Sequence, residues 1–194
     1  MSGRPKIFKK EEILKKAEAI FWSKGYEVTS TEDLLKTMGI GKGSFYLEFK
    51  RGKKELFEEV LRSVSERELM ELKYKLQQST TPIKTLKNHF RNISLASAQT
   101  NANGCLFGNT IMEFSNVDES LKYIAVEHLE ALENIFKDVV TDAKSKGELK
   151  TEIAPALLAK HLITIWNGLG ITRRMTTNQE DLMALIEMQL KIIE

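Results

Sequence analysis

Apolar residues recur every three or four positions through most of this chain, and charged residues separate them. The stretch from Ile13 to Phe21 shows this spacing first, and Gly25 suits the left-handed residue that ends a helix. Prolines number only 3, and no long stretch alternates apolar and polar residues as a half-buried strand does. The pattern therefore predicts an all-α protein.

The same spacing, together with capping residues, predicts about nine helices. Their approximate ranges are 13–24, 31–38, 42–49, 53–77, 82–96, 104–114, 119–146, 153–174 and 178–193. The polar residues 100–104 predict a loop. The fourth helix belongs to both halves of the chain, and we place the domain boundary at its start, between residues 1–52 and 53–194.

Residues 30–49 contain two short predicted helices joined by a glycine turn, Gly39-Ile40-Gly41. The second of these helices begins with Lys42 and two small residues, and aromatic residues follow them. This is the plan of a helix-turn-helix, in which the second helix enters the DNA major groove. The segment therefore predicts an N-terminal three-helix domain that binds double-stranded DNA.

Twelve residues in and around this segment are small, basic or able to form hydrogen bonds, as a DNA-contacting surface requires. They are Arg4, Lys6, Thr29, Ser30, Thr31, Gly41, Lys42, Gly43, Ser44, Tyr46, Lys50 and Lys53. Arg4 and Lys6 would form a basic arm that enters the minor groove. The basic residues of 50–54 have a solvated loop as their alternative, whereas Phe45 and Phe49 are predicted to lie in the core.

The charge distribution agrees with a DNA-binding N-terminus. The 194 residues carry a net charge of +2, but residues 1–54 hold 13 Lys and Arg against 7 Asp and Glu, and the other 140 hold 16 against 20. A basic N-terminal third predicts that this end meets a polyanion. The single cysteine excludes an internal disulfide, and no apolar run is long enough to span a membrane. We therefore expect a cytoplasmic protein with no membrane partner.

The last two predicted helices are apolar on more than one side, so each needs a second surface to pack against. A second copy of the chain, related by a two-fold axis, would supply that surface in a four-helix interface. The residues predicted at this homodimer interface are Leu158, Leu162, Ile165, Leu169, Leu182, Leu185, Ile186 and Gln189. Central burial within a monomer is the alternative.

The N-terminal residues resemble the DNA-binding domain of TetR-family transcriptional regulators. The resemblance covers about the first 60 residues and rests on Ala17, Phe21, Gly25, Tyr26, Thr29, Ser30, Asp33, Leu34, Gly39, Ile40, Lys42, Gly43, Ser44, Phe45, Tyr46 and Phe49. It implies an all-helical homodimer, usually a repressor, whose N-terminal helices bind an operator. It also implies a C-terminal domain that binds an inducer and forms the dimer through its last two helices.

The chain departs from the family pattern at three places. Gly41 stands where a serine or threonine cap is common, and Glu48 stands where a histidine or tyrosine often faces the DNA backbone. The link from Phe49 to Leu56 is one residue longer than usual. These departures bear on the DNA contact at position 48 and on the start or angle of the fourth helix.

The C-terminal half offers aromatic and polar residues for an inducer pocket, and a small apolar or aromatic molecule is the expected inducer. The residues proposed for this pocket are His89, Phe90, Cys105, Phe107, Met112, Phe114, His128, Trp166 and Asn167. Cys105 begins a predicted helix, so a redox- or electrophile-sensing thiol is an alternative switch, and a small buried hydrophobe is the other interpretation. The sequence shows no nucleophile–base pair, phosphate loop or metal-ligand cluster, so we expect neither an enzyme nor a metal or other cofactor.

Overall fold

The computed structural model describes residues 9–175 and 178–194. Helices α1–α10 span Lys10–Lys24, Thr31–Met38, Lys42–Glu48, Lys53–Gln77, Pro82–Ser94, Ala98–Asn103, Leu106–Phe114, Glu119–Ser145, Pro155–Met175 and Gln179–Leu190, and a 3₁₀ turn follows at Lys191–Ile193. The described residues contain no strand, which confirms the predicted all-α class.

Helix α6 lies where the sequence predicted a loop, and this prediction is wrong. The Ser97 side chain accepts a hydrogen bond from the Thr100 N–H at 3.1 Å and caps the start of the helix. Gly104 ends the helix with φ of 67°. The additional short helix accounts for the difference between the approximate number predicted and the ten α-helices observed in the described residues.

The chain divides into two compact units, residues 1–66 and 67–194, which we call unit 1 and unit 2. Helix α4 begins in unit 1 and ends in unit 2. The compact division therefore falls inside α4, and the domain boundary predicted at the start of α4 stays a prediction. No helix of the described residues is long and apolar enough to cross a membrane.

Unit 1 has an aromatic core. The rings of Phe21 and Phe57 lie 4.7 Å apart, and those of Phe45 and Phe49 lie 5.5 Å apart. Both Phe45 and Phe49 are fully buried, which confirms their predicted place in the core. Burying such side chains fixes α3 to the rest of the unit, since each aromatic ring removes a large apolar area from water.

Helix α2 begins and ends as the sequence predicts. The Ser30 side chain accepts a hydrogen bond from the Asp33 N–H at 3.0 Å, and the Asp33 carboxylate accepts one from the Ser30 N–H at 3.4 Å. This reciprocal capping box satisfies two N–H groups that would lack partners. At the other end Gly39 adopts φ of 72°, a left-handed conformation that lets the chain turn sharply into α3.

Helix α8 is the longest element of unit 2, and one side of it is buried along its whole length. The apolar residues that recur along that side, from Leu121 to Ala143, are buried. The Asp118 side chain accepts hydrogen bonds from the N–H groups of Ser120 and Leu121 and so caps the start of the helix. Helix α8 therefore provides the surface on which its neighbours in unit 2 pack.

The last two helices are apolar on several sides because they also complete the core of a single chain. Six of the eight predicted dimer residues are buried within unit 2: Leu158, Leu162, Ile165, Leu169, Leu182 and Ile186. Only Leu185 and Gln189 are partly exposed. The six buried side chains face the chain's own core, so the prediction that they contact a partner is corrected.

Candidate DNA-binding surface and ligand-binding core

Helix α3 turns its aromatic side inward and its small and basic side outward. Lys42, Gly43 and Ser44 are exposed at its start, and Lys50 is exposed just beyond its end. A Cβ atom added at Gly43 would meet no described residue within 4 Å, so the packing of this part of the protein does not require a glycine there. A helical glycine costs stability, and its use here leaves room for another molecule to approach the helix closely.

Tyr46 lies at the edge of this exposed side. Its ring makes an edge contact with the Phe45 ring at 5.1 Å, and its side chain is 45% exposed. A Cβ atom added at Gly52 would lie 3.5 Å from the Tyr46 ring. The ring is thus supported by the core of unit 1, while much of the residue stays accessible to a partner.

Ser30 and Thr31 bring hydrogen-bonding groups to the start of α2. Ser30 is exposed, and because its oxygen accepts the capping bond from Asp33, its O–H can still donate to a phosphate. Thr31 is half-buried at the first helical position. Gly41 is exposed, and φ of −76° is open to any residue, so its backbone does not require glycine. Arg4 and Lys6 lie outside the described residues.

Two of the predicted DNA-contacting residues form contacts inside unit 1. Thr29 is fully buried, and its hydroxyl donates to the Gly25 carbonyl at 2.6 Å. The Lys53 ammonium donates to the carbonyls of Tyr26 and Thr29 at 3.1 and 3.2 Å and lies 4.1 Å from the centre of the Tyr26 ring. The predicted phosphate contact of Thr29 is therefore corrected, and Lys53 holds the connection that leads to Ser30.

The departures from the family pattern have local explanations. Glu48 pairs with Lys10 at 3.5 Å, and Lys10 also pairs with Glu59 at 2.6 Å, so the acidic charge at position 48 is partly compensated within the unit. The hydrogen bond to Glu59 is the main reason that the pKa of Lys10 is raised. Gly52 accommodates the longer link by adopting φ of 67° and donating to the Phe49 carbonyl at 2.9 Å. Helix α4 then begins at Lys53.

Aromatic residues of α5, α8 and α9 meet inside unit 2. The His89 and Trp166 rings stack 4.6 Å apart and nearly parallel, and Phe90 and Phe136 complete what we call the His89 cluster. The His89 Nε2 atom is buried and has no hydrogen-bond partner among the described residues. Burial lowers the pKa of His89 to about 4, so the ring is neutral near pH 7. The cluster thus combines an apolar surface with one unpaired polar atom.

The other predicted ligand residues separate into two groups. Phe107 and His128 stack with ring centres 3.5 Å apart, and both are buried, as is Phe114. Burial lowers the pKa of His128 to about 4. Met112 and Asn167 are exposed and lie apart from the buried aromatic residues, so their place in a pocket stays a prediction.

Cys105 caps the start of α7 rather than presenting a reactive thiolate. Its sulfur accepts a hydrogen bond from the Gly108 N–H at 3.4 Å. Burial raises the pKa of the Cys105 thiol, and the hydrogen bond from Gly108 and the charge of Arg173 only partly oppose this effect. The thiol therefore stays protonated near pH 7, which favours the interpretation as a small, largely buried side chain.

Comparison with known proteins agrees with this architecture. The family model described as bacterial regulatory proteins of the tetR family matches residues 13–60, and the model of the tetracyclin repressor-like C-terminal domain matches residues 82–188. The transcriptional repressor ComR of Escherichia coli is 27% identical over 193 residues, which cover 98% of this chain and 91% of ComR. The repressor DhaR of Mycobacterium sp. is 24% identical over 180 residues, 89% of this chain and 86% of DhaR.

Solved structures share the whole fold. A cysteine mutant of the TetR-family regulator CifR, in complex with double-strand operator DNA, has a TM-score of 0.86 and 22% identity over 99% of this chain and 100% of that chain. The reduced form of NemR from Escherichia coli has a TM-score of 0.84 and 20% identity over 95% and 96% of the two chains. The fold, with its exposed α3, defines a helix-turn-helix DNA-binding transcriptional regulator. The chain belongs to the TetR family, which confirms the resemblance read from the sequence.

Proposed function

We propose that the protein is a homodimeric transcriptional repressor that leaves its operator when a small apolar or aromatic ligand binds in unit 2. The observation that carries the proposal is the exposed side of α3, where Lys42 and Lys50 flank residues small enough to enter a groove. Repression is supported by the curated relatives, since ComR and DhaR are both named as repressors.

The direct DNA contacts in this proposal come from Ser30, Thr31 and the exposed residues of α3, together with Tyr46 and Lys50. Lysine and hydroxyl groups bind phosphates and fix the register, whereas base edges are read from the start of α3. Lys53 acts indirectly, because it holds the connection before Ser30 through two carbonyls. Arg4 and Lys6 remain proposed minor-groove contacts.

Exposed residues of α9 and α10 support dimerisation. On α9, Leu157, Thr164, Gly168, Ile171 and Met175 recur at helical spacing, and none of them is charged. A Cβ atom added at Gly168 would meet none of the described residues within 4 Å, so their packing within a single chain gives no reason for a glycine there. A second helix that approaches closely gives this glycine a role.

Residues of α10 extend the proposed interface beyond α9. Ala184 and Met188 are exposed, and the two predicted residues Leu185 and Gln189 are partly exposed beside them. In the proposed dimer, α9 and α10 of each protomer thus meet those of the partner through the sides that the core of the single chain leaves uncovered.

The His89 cluster is the proposed inducer site. Glu71 and Lys75, both in the last turns of α4, lie close enough to influence the pKa of His89. At its other end α4 carries Lys53, which holds the α1–α2 connection. A ligand that binds the cluster more tightly when α4 is in one position than in another would shift the population towards that position. Because α4 belongs to both units, this shift would also reach unit 1 and its DNA-binding surface.

Selection from random double-stranded oligonucleotides, followed by a gel shift at fixed salt, tests the DNA-binding part. Enrichment of a palindromic site is expected, because two recognition helices about 34–36 Å apart reach successive major grooves. Affinity should fall steeply with salt, since phosphate contacts release counterions. Enrichment of single, non-repeated sites would contradict the two-fold arrangement.

Sedimentation of Gly168→Arg tests the dimer. The substitution places a long charged side chain on the exposed side of α9, so the protein should sediment as a folded monomer and bind the palindromic site weakly. Asn134→Arg, on an exposed position of α8, is the matched control and should stay dimeric. A dimer that persists in Gly168→Arg would exclude this surface.

The alternative switch through Cys105 is not favoured, because burial keeps its thiol protonated. Operator release by hydrogen peroxide, compared between the wild type and Cys105→Ser, separates the two hypotheses. Equal behaviour of the two proteins is expected. Release of the wild type alone would restore the thiol switch.

A further inference from the structure

The link between α3 and α4 holds an arginine by both its backbone and its side chain. The Arg51 N–H donates to the Glu55 carboxylate at 2.7 Å. The Arg51 guanidinium donates through Nη1 and Nη2 to the two carboxylate oxygens of Glu58, at 3.1 and 2.6 Å. Arg51 is not among the twelve residues that the sequence predicts at the DNA, and it belongs to the link that is one residue longer than usual.

This Arg51–Glu58 pair lies beside the start of α4. Side chains of a helix lean towards its N-terminus, so the Glu58 carboxylate reaches back towards Gly52, where Arg51 meets it. A Cβ atom at Gly52 would lie 3.5 Å from the Tyr46 ring, so this turn adjoins the exposed side of α3. The Arg51 guanidinium is therefore at the edge of the surface proposed to contact DNA.

The Arg51–Glu58 pair leaves part of the guanidinium open. It uses two of the five N–H donors, one on each Nη atom. Nε–H and the second N–H of the adjacent Nη atom lie on another edge of the same plane, where they can bind a second anion bidentately. The Arg51 side chain is 60% exposed and that of Glu58 only 15% exposed, so the carboxylate is held against unit 1 and the guanidinium stays accessible.

Glu58 offsets part of the charge of Arg51 but fixes its direction. The hydrogen bond to Glu58 is the main reason that the pKa of Arg51 is raised. A free arginine side chain loses much rotamer freedom when it binds a phosphate, whereas one that is already held loses less. Water and salt screen the repulsion between the carboxylate and a phosphate on the other edge of the guanidinium. We therefore expect the gain from orientation to exceed the repulsion.

We propose that Arg51 binds a phosphate of the operator backbone and that Glu58 is the residue that positions it. An acidic side chain of unit 1 thus strengthens the binding of this protein to DNA. The inference rests on the proposed function, because it requires an operator, but it concerns two residues outside the contacts proposed above.

Arg51→Gln tests the phosphate contact in the full-length protein. Gel shifts over a salt series, on the palindromic site selected from random duplexes, should show binding about tenfold weaker and a slope of log affinity against log salt smaller by about 1. Affinity for an unrelated duplex should fall by a similar factor, because phosphates are the same in every sequence. Arg51→Lys keeps the charge without the planar fork, so it should recover the slope but only part of the affinity.

Glu58→Gln tests the positioning role through the sign of its effect. Removing a negative charge from a DNA-binding unit should by itself strengthen binding, whereas loss of the positioning contact should weaken it about threefold. Glu66→Gln, at an exposed position further along α4, is the matched control and should bind at least as tightly as the wild type. In the Arg51→Gln background Glu58→Gln should behave as Glu66→Gln does, because the side chain that Glu58 positions is gone.

Melting temperatures without DNA separate these effects from folding, and they should stay close to the wild type because an ion pair at the surface contributes little stability. A wild-type protein that selects no duplex would overturn the proposed function itself. Wild-type binding that Arg51→Gln leaves unchanged would overturn only this inference. Tighter binding by Glu58→Gln that disappears in the Arg51→Gln background would overturn the positioning role, because it would show that Glu58 competes with phosphate for Arg51.

Discussion

Units 1 and 2 differ in how far their buried polar atoms have hydrogen-bond partners. In unit 1 the buried Thr29 hydroxyl and the Lys53 ammonium donate to backbone carbonyls. In unit 2, His89, Asn101 and Arg173 hold the buried side-chain nitrogen and oxygen atoms that lack a partner within the described residues. These two groups of unit 1 are thus paired within the protein, whereas three buried polar atoms of unit 2 are left without a partner among the described residues.

Truncating the core of unit 1 should have the largest effect. Phe45 is fully buried, and Phe45→Ala should lower the free energy of unfolding by about 3–5 kcal/mol, because the cavity it leaves adds to the lost burial. Urea denaturation measures the change. Leu47→Ala, on the same helix but 81% exposed, should cost less than about 0.5 kcal/mol, and similar losses for both variants would mean that α3 is not fixed by its aromatic side.

Acid should destabilise unit 2 through its neutral histidines. The pKa of His89 is about 4 in the folded protein against 6.5 for an unperturbed histidine, so the unfolded chain takes up the proton first as the pH falls. Stability is fully present above pH 6.5 and declines towards pH 4, by up to about 3 kcal/mol for this residue.

His89→Phe isolates this contribution. The variant keeps the aromatic stack but removes the proton acceptor, so its free energy of unfolding should fall less than that of the wild type between pH 6.5 and pH 4. Denaturant titrations at a series of pH values give the two curves. Parallel curves would show that His89 is protonated equally in the folded and unfolded states.

Removing the exposed ammonium group of Lys42 in unit 1 should affect operator binding rather than folding. Lys42→Ala is expected to weaken operator binding about tenfold and to reduce the slope of log affinity against log salt by about 1, as for one lost phosphate contact. A gel shift over a salt series measures both quantities. Lys36→Ala, an exposed lysine near the end of α2, is the control, and equal effects would point to general charge rather than a contact.

Removing the buried Thr29 hydroxyl should affect folding rather than operator binding, and this effect should be the smallest of those predicted. Thr29→Val deletes the hydrogen bond to Gly25 and should lower the free energy of unfolding by about 1 kcal/mol. Operator affinity of the folded protein should stay within about twofold, which is less than one hydrogen bond is worth. A large loss of affinity with unchanged stability would restore Thr29 as a DNA contact.

The sequence predicted elements whose signals are local. The predicted ranges of α2 and α8 follow from apolar residues three or four positions apart and from capping residues at the helix ends, and the structure confirms both helices. The role of Lys53 could not be read in this way, because the carbonyls of Tyr26 and Thr29 that it contacts are distant in the sequence. Thr29 contacts the nearby Gly25 carbonyl, but its burial depends on how unit 1 packs. The helix at Ala98–Asn103 was missed because its polar composition is also that of a loop.

Helices α9 and α10 show a second structural feature that the apolar pattern alone does not predict. An apolar pattern on several sides indicates that a helix needs two neighbours, but it does not show which side faces the chain's own core. Leu162 and Ile186 face inward, while Gly168 lies on the exposed side of α9. Among the ligand residues, the stacking of His89 on Trp166 likewise depends on how α5 and α9 pack.

Gly168 has a consequence for how much of the protein a cell must make. A glycine on the exposed side of a helix weakens that helix by about 1 kcal/mol relative to alanine. Dimerisation through this glycine would offset the loss only at protein concentrations at which the protomers associate. The melting temperature would then rise with protein concentration. A scarce regulator of this kind would be both less assembled and more easily degraded, so its abundance would set its lifetime as well as its occupancy of the operator.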